Sequence, residues 1–165
     1  MVRIVQLLYF MLPAYLANMA PPFVRFWRGW NHPINRRWLG DHKTVVGFGA
    51  GVVTALATAF IQSRIPSVDQ LWPAGHWLAL GVGLGIGAMG GDCIKSFFKR
   101  LRGIAPGHPW IPMDQLDFVV GALILTLPWV HWRWSDVAVI LIVSFLGDLA
   151  VNQLAFRLRI RRTPW

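Results

Sequence analysis

Five stretches of this chain are apolar over about the length of a membrane helix, and polar, base-rich segments separate them. The first runs from about Ile4 to Val24, where Pro13 predicts a kink and Pro21-Pro22 a stop at the interface. The second covers about Thr44 to Ile61, the third about His76 to Ile94, the fourth about Leu116 to Val130 and the fifth about Asp136 to Phe156. The pattern predicts an all-α, polytopic membrane protein with five transmembrane helices, folded as one domain over residues 1–165. Glycine crowds the third stretch, at Gly81, Gly83, Gly85, Gly87, Gly90 and Gly91. Spacing by two resembles a strand, but a lone strand in lipid leaves its backbone unpaired, so a helix is expected. Gly81/Gly85, Gly83/Gly87 and Gly87/Gly91 are small-xxx-small pairs that admit a close neighbour. Gly90-Gly91 is read as a local unwinding that shapes a ligand site.

Composition supports the membrane reading. A hydrophobic content of 55% with only 14% charge, and a mean hydropathy of +0.48, do not describe a soluble domain. Many of the ten Trp lie near segment ends, as in interfacial aromatic belts. A net charge of +9 raises the question of nucleic acid. The bases, however, sit in patches between apolar runs, so positive loops are expected and no nucleic-acid partner. Arg25, Arg28, Arg36, Arg37 and Lys43 precede the second span; Lys95, Lys99, Arg100 and Arg102 follow the third; Arg157, Arg159, Arg161 and Arg162 close the chain. Only Arg3, Arg64 and Arg133 fall on the other side. The positive-inside rule then places the N-terminus outside a cell membrane, and the C-terminus and the basic loops in the cytoplasm. The N-terminal run has no small-residue cleavage site and reads as a retained anchor. The lone Cys93 excludes an internal disulfide or a cysteine-rich metal site.

The chemistry collects between Gly90 and Asp117. All seven acids are Asp, and three of them (Asp92, Asp114, Asp117) stand here beside Lys95, Lys99, Arg100 and Arg102. Acids at the mouth of apolar helices are costly, and therefore candidates for function. Asp114 and Asp117 share a helix face at i, i+3, and Asp92, Ser96 and Lys99 share another at i, i+4, i+7. Both helix ends lie on one side, so the three carboxylates can converge on Mg²⁺, with water and substrate phosphate completing its shell. The plainer readings are an N-cap for Asp114 and an ion pair with Lys95 or Lys99 for Asp92. Lys99 and Arg100, following Ser96, suit phosphate; Lys95 and Arg102 read as solvated positive face. Before the second span, Gly40-Asp41-His42-Lys43-Thr44 offers Asp41 as a helix cap and Lys43-Thr44 at a helix N-terminus as a phosphate site, without the glycine spacing of a P-loop. Asp148 lies about 18 Å along the fifth helix from Asp136 and shares a face with Asn152, so both are expected to line a cavity. His42 and His108 read as polar loop residues.

Gly91-Asp92-xxx-Ser96-xx-Lys99-Arg100, a proline-containing loop and Asp114-xx-Asp117 together resemble the signature of the CDP-diacylglycerol synthase superfamily of cytidylyltransferases. The short length, Leu39 to Thr44, and the ending Asn152-xx-Ala155…Pro164-Trp165 are similar to the archaeal branch, the CDP-archaeol synthases, which act on digeranylgeranylglycerol phosphate. The resemblance covers most of residues 33 to 165. Ala105-Pro106 replaces a Lys-Asp of the bacterial loop, and Gln115 stands where Arg is usual. The resemblance implies CTP and a prenyl-ether glycerol phosphate lipid as partners, Mg²⁺ as cofactor, and attack of the lipid phosphate on the α-phosphorus with loss of pyrophosphate. It implies catalytic roles for Asp92, Lys99, Asp114 and Asp117, and nucleotide contacts from Gly40, Asp41, Lys43, Thr44, Ser96, Lys99 and Arg100. A small membrane transporter or channel for phosphorylated anions is the alternative. It would want internal repeats, and none is visible.

Overall fold

The computed structural model describes residues 2–26, 29–65, 74–105 and 108–159. Arg28, Asp69, Pro106, Arg161, Arg162 and Pro164-Trp165, and the side chains of Arg25 and Ala155, lie outside that description. The helices are α1 (Val2–Met19), α2 (Arg36–Leu39), α3 (Val45–Arg64), α4 (Trp77–Leu101), α5 (Met113–Thr126) and α6 (Trp134–Arg157), with 3₁₀ turns at Pro21–Phe26 and Ala74–His76. Among the described residues there is no strand, only one antiparallel bridge between Pro33 and Thr44. Four helices, α1, α3, α4 and α6, are long and apolar enough to cross a membrane. At 14 residues α5 is about 21 Å long and falls short of a full hydrocarbon core.

Pro13 does not break α1. It deprives the Tyr9 carbonyl of its intrahelical donor, and the buried Gln62 of α3 supplies one, Nε2 donating to that oxygen at 2.5 Å. Pro21, by contrast, ends the α-helix at Met19, as expected.

Glycine sets the packing. Residues two apart on a helix point roughly 200° apart, so spacing by two gives α4 two opposite small faces. On one face a Cβ at Gly81 or Gly85 would press on Ala59 or Ala55 of α3, at 3.0 and 2.9 Å. On the other, a Cβ at Gly87 would lie 2.6 Å from the Ala122 Cα of α5, and one at Gly91 would collide with the Asp117 carbonyl oxygen. Helices α3 and α5 thus flank α4 at near-backbone contact, both antiparallel to it. The expected unwinding at Gly90-Gly91 does not occur: α4 is continuous to Leu101, seven residues past the predicted end near Ile94. Gly91 is instead consumed by the approach of α5.

Helix α1 runs beside α6 in the same direction, tied by Arg3 to Asp136 at 2.5 and 3.1 Å and by Tyr15 Oη to Ser144 Oγ at 2.7 Å. Five long or medium helices therefore alternate in direction. The C-terminal ends of α1, α4 and α6 and the N-terminal ends of α3 and α5 meet at one end of the bundle.

Candidate active site

At that shared end the helices surround a cavity of about 670 Å³, within the range of small-molecule sites. Lys43 reaches it from a loop closed at its base, where Ile34 N donates to the Lys43 carbonyl at 2.7 Å and Val45 N to the His32 carbonyl at 3.0 Å. Gly40, at φ 85°, ends the short α2 within that loop. Thr44, not Asp41, caps α3, its Oγ1 accepting from Gly47 N at 3.1 Å. The expected capping role of Asp41 is thus corrected. Asp41 lies at the exposed rim of the cavity and pairs with Arg36 at 3.2 Å. A threonine at the first non-helical position reaches the third amide directly, whereas Asp41 is three residues too early.

Asp92 sits nine residues before the end of α4, roughly 13 Å in from it. Lys95, one turn on, is the hub. Its Nζ stands 3.1 Å from Asp92 Oδ1, 3.1 Å from Asp114 Oδ1 and 2.9 Å from Asp117 Oδ2. Lys43 also pairs with Asp92. Lys99, only 7% exposed, holds both oxygens of Asp114 at 3.0 Å and donates to the His108 carbonyl at 2.6 Å. Asp114 further accepts from Trp110 N at 2.6 Å and is not the cap of α5, whose first position outside the helix is Pro112. Three carboxylates and three ammonium groups thus balance, which is the condition for burying so many charges together.

The solvated face expected for Lys95 is corrected, its side chain being 14% exposed, while the ion pair expected as the plainer reading of Asp92 is present. The i, i+3 spacing from Asp92 was the available signal. Arg102 does lie outside, over the Trp110 ring at 5.0 Å. Three expected phosphate contacts, Gly40, Ser96 and Arg100, stand off the cavity wall. The Ser96 hydroxyl donates to the Asp92 carbonyl at 2.9 Å within α4, and Arg100 donates to the Ile104 carbonyl. Asp148 and Asn152 do line the cavity, Asn152 Nδ2 donating to Asp148 Oδ2 at 2.8 Å. His42 and His108 line it as well, together with Asn18, Asn31 and Gln115, which the sequence had not singled out for it.

Hard oxygen donors suit Mg²⁺. Among the described residues, however, no three His, Cys, Asp or Glu side chains are disposed around one metal position. The aspartates converge on the Lys95 ammonium. The cluster is already charge-balanced, so a bound triphosphate needs countercharge from elsewhere, and the aspartate oxygens are the hard donors that would hold a divalent ion once the Lys95 ammonium gives way.

Comparison with known proteins bears on this arrangement. The family description CDP-archaeol synthase (CarS-like) matches residues 1–165. The chain is 37% identical to the CDP-archaeol synthase of Methanospirillum hungatei, over 94% of this chain and all of that protein. It is 31% identical to that of Pyrococcus furiosus over 98% of each, and 34% identical to that of Methanopyrus kandleri over 96% and 91%. A solved structure described as an intramembrane enzyme for archaeal membrane lipid biosynthesis superposes with a TM-score of 0.68 at 28% identity, over 87% of this chain and 90% of that one.

Proposed function

Because the chain belongs to the CDP-archaeol synthase family, a multi-pass membrane enzyme of nucleotidyltransferase type in archaeal lipid synthesis, we propose that it transfers CMP from CTP to digeranylgeranylglycerol phosphate. The observation that carries this reading is the balanced cluster of Lys43, Lys95, Lys99, Asp92, Asp114 and Asp117 on a cavity sunk among apolar helices. A soluble triphosphate and a membrane-bound phosphate can meet there. The lipid phosphate oxygen forms a bond to the α-phosphorus, the α–β bridging bond breaks, and pyrophosphate leaves with the electron pair. Such a transfer asks the protein for positioning and charge neutralisation rather than covalent chemistry. Lys43 and Lys99 each hold a carboxylate at the cavity wall and can exchange it for a phosphate oxygen. Asp92, Asp114 and Asp117 would hold Mg²⁺, whose charge offsets that of the triphosphate. Until the ion binds, Lys95 keeps the three carboxylates within reach of one another.

Incubation of purified protein with labelled CTP, Mg²⁺ and a phosphorylated prenyl-ether glycerol is expected to yield labelled CDP-lipid, and EDTA to stop it. Asp114→Asn and Asp117→Asn should each lower turnover about a hundredfold or more while the protein stays folded. Wild-type-like turnover in both variants, or full activity in EDTA, would remove the metal assignment.

We further propose five crossings, α5 with its extension to Val130 being the short fourth, with the N-terminus outside and the site facing the cytoplasm. The alternating helix directions and the concentration of bases at the site end support this. In a Cys93→Ser background, an impermeant thiol reagent added outside cells should label Gly75→Cys and spare Ala105→Cys. The opposite pattern would invert the protein.

A further inference from the structure

Two exposed bases at the site end of the bundle meet no carboxylate among the described residues, and each lies over an indole. Arg37 of α2 stands 5.2 Å from the Trp38 ring centroid, and Arg102, just past α4, stands 5.0 Å from that of Trp110. Arg36, by contrast, pairs with Asp41. An arginine laid on an aromatic face keeps its N–H edge free, and that planar fork fits a phosphate.

A row of rings runs between them. Trp38 packs on Phe97 of α4 at 5.3 Å between centroids, and Phe97 on Phe98 at 5.7 Å. Arg102 follows one turn after Phe98. Ile94, Phe98 and Leu101 are exposed and share one face of α4. In a multi-pass membrane protein lipid covers such a face. Helix α4, at 25 residues or about 37 Å, outruns a hydrocarbon core of about 30 Å. Its last turn therefore reaches the headgroups, where tryptophan and arginine settle. An anionic lipid matches the patch at both ends, its phosphate on the arginines and its chains on the apolar face.

The ring row ends on the loop that carries Lys43. Trp38 belongs to residues 34–43, whose ends are joined by Ile34 N donating to the Lys43 carbonyl at 2.7 Å. Seating Trp38 on α4 therefore also seats Lys43, which pairs with Asp92.

We propose that Arg37 and Arg102 bind the phosphates of anionic lipids in the leaflet at the site end, and that this contact holds the 34–43 loop, with Lys43, against α4. The effect through Lys43 rests on the CTP reading above; the lipid contact does not.

Nanodiscs of phosphatidylcholine, with or without half of it replaced by phosphatidylglycerol of the same chains, test both parts. With phosphatidylglycerol the KM for CTP is expected to fall about fivefold. Surface charge alone acts the other way, because an anionic surface repels CTP. Arg37→Gln, Arg102→Gln and Trp38→Ala should each lose most of that fall, whereas Trp38→Phe keeps a ring on Phe97 and should retain it. Arg133→Gln, exposed at the opposite end, should retain it too. By native mass spectrometry the Arg37→Gln/Arg102→Gln protein should hold fewer phosphatidylglycerol molecules than the wild type, at an unchanged melting temperature. Equal retention by the two proteins would overturn the lipid contact. A wild-type KM for CTP that stays flat or rises with phosphatidylglycerol, or a change confined to the KM for the lipid substrate, would overturn the seating of Lys43. Failure of the CTP reading looks different: no lipid mixture would then support CTP consumption, and lipid retention would still decide the contact.

Discussion

Lys95→Met is expected to abolish measurable turnover and to lower the melting temperature of the detergent-solubilised protein. The Lys95 ammonium lies within 3.1 Å of Asp92, Asp114 and Asp117, which come from two helices. Without it, Lys43 still faces Asp92 and Lys99 still faces Asp114, but Asp117 loses its ion pair and three carboxylates repel one another in a poorly hydrated setting. Removing one partner from a buried ionic group costs about 3–5 kcal/mol. Helix α5 carries two of the three carboxylates and would move to relieve the repulsion. Lys95→Arg should restore part of the stability and little turnover, because a planar fork cannot serve three carboxylates arranged around one point. Melting curves and labelled-CTP turnover on the two variants decide it. Near-wild-type turnover in Lys95→Met would return the residue to the solvated positive face that its sequence context suggests.

Neighbouring glycines are expected to differ sharply. Gly91→Ala would drive its Cβ into the Asp117 carbonyl oxygen, a backbone atom that cannot rotate away. Overpacking of this kind typically costs about 1–3 kcal/mol, and here the helix that yields is the one bearing Asp114 and Asp117. A displacement of about 1 Å at reacting groups can lower rate about a hundredfold. Gly90→Ala meets nothing within 4 Å and should leave turnover unchanged, with stability higher by about 0.5–1 kcal/mol from helix propensity. If the two variants behave alike, in either direction, the close α4–α5 contact is not what holds the site.

Much of this arrangement is legible in the sequence alone. Thirteen of the sixteen bases fall in three segments, and apolar runs of helix length lie between them. Lipid leaves a buried backbone almost no choice but helix, so run length translates into element type with few alternatives. Asp92, Asp114 and Asp117 stood out for a related reason: an acid at the edge of an apolar helix is expensive anywhere, and needs a partner. The local expectations that failed were those that depend on a neighbour. Pro13 leaves α1 unbroken because Gln62, far away in sequence, satisfies the freed carbonyl, a partner that no local pattern reveals. Gly90-Gly91 should have loosened α4, and does not because α5 occupies the space that Gly91 leaves.

What the sequence determined by itself was the helical class, the grouping of charge at one end and the residue types that meet there, since all three follow from the cost of placing polar groups in lipid. Which lysine meets which aspartate was decided only in the folded bundle. Rotation about a helix axis redirects every side chain without changing the apolar pattern that lipid selects. In this protein that rotation is set by glycine contacts: Gly81 and Gly85 turn one face of α4 to α3, and Gly87 and Gly91 turn the other to α5. That second contact brings Asp114 and Asp117 to Lys95, because backbones that nearly touch admit only one register between the helices.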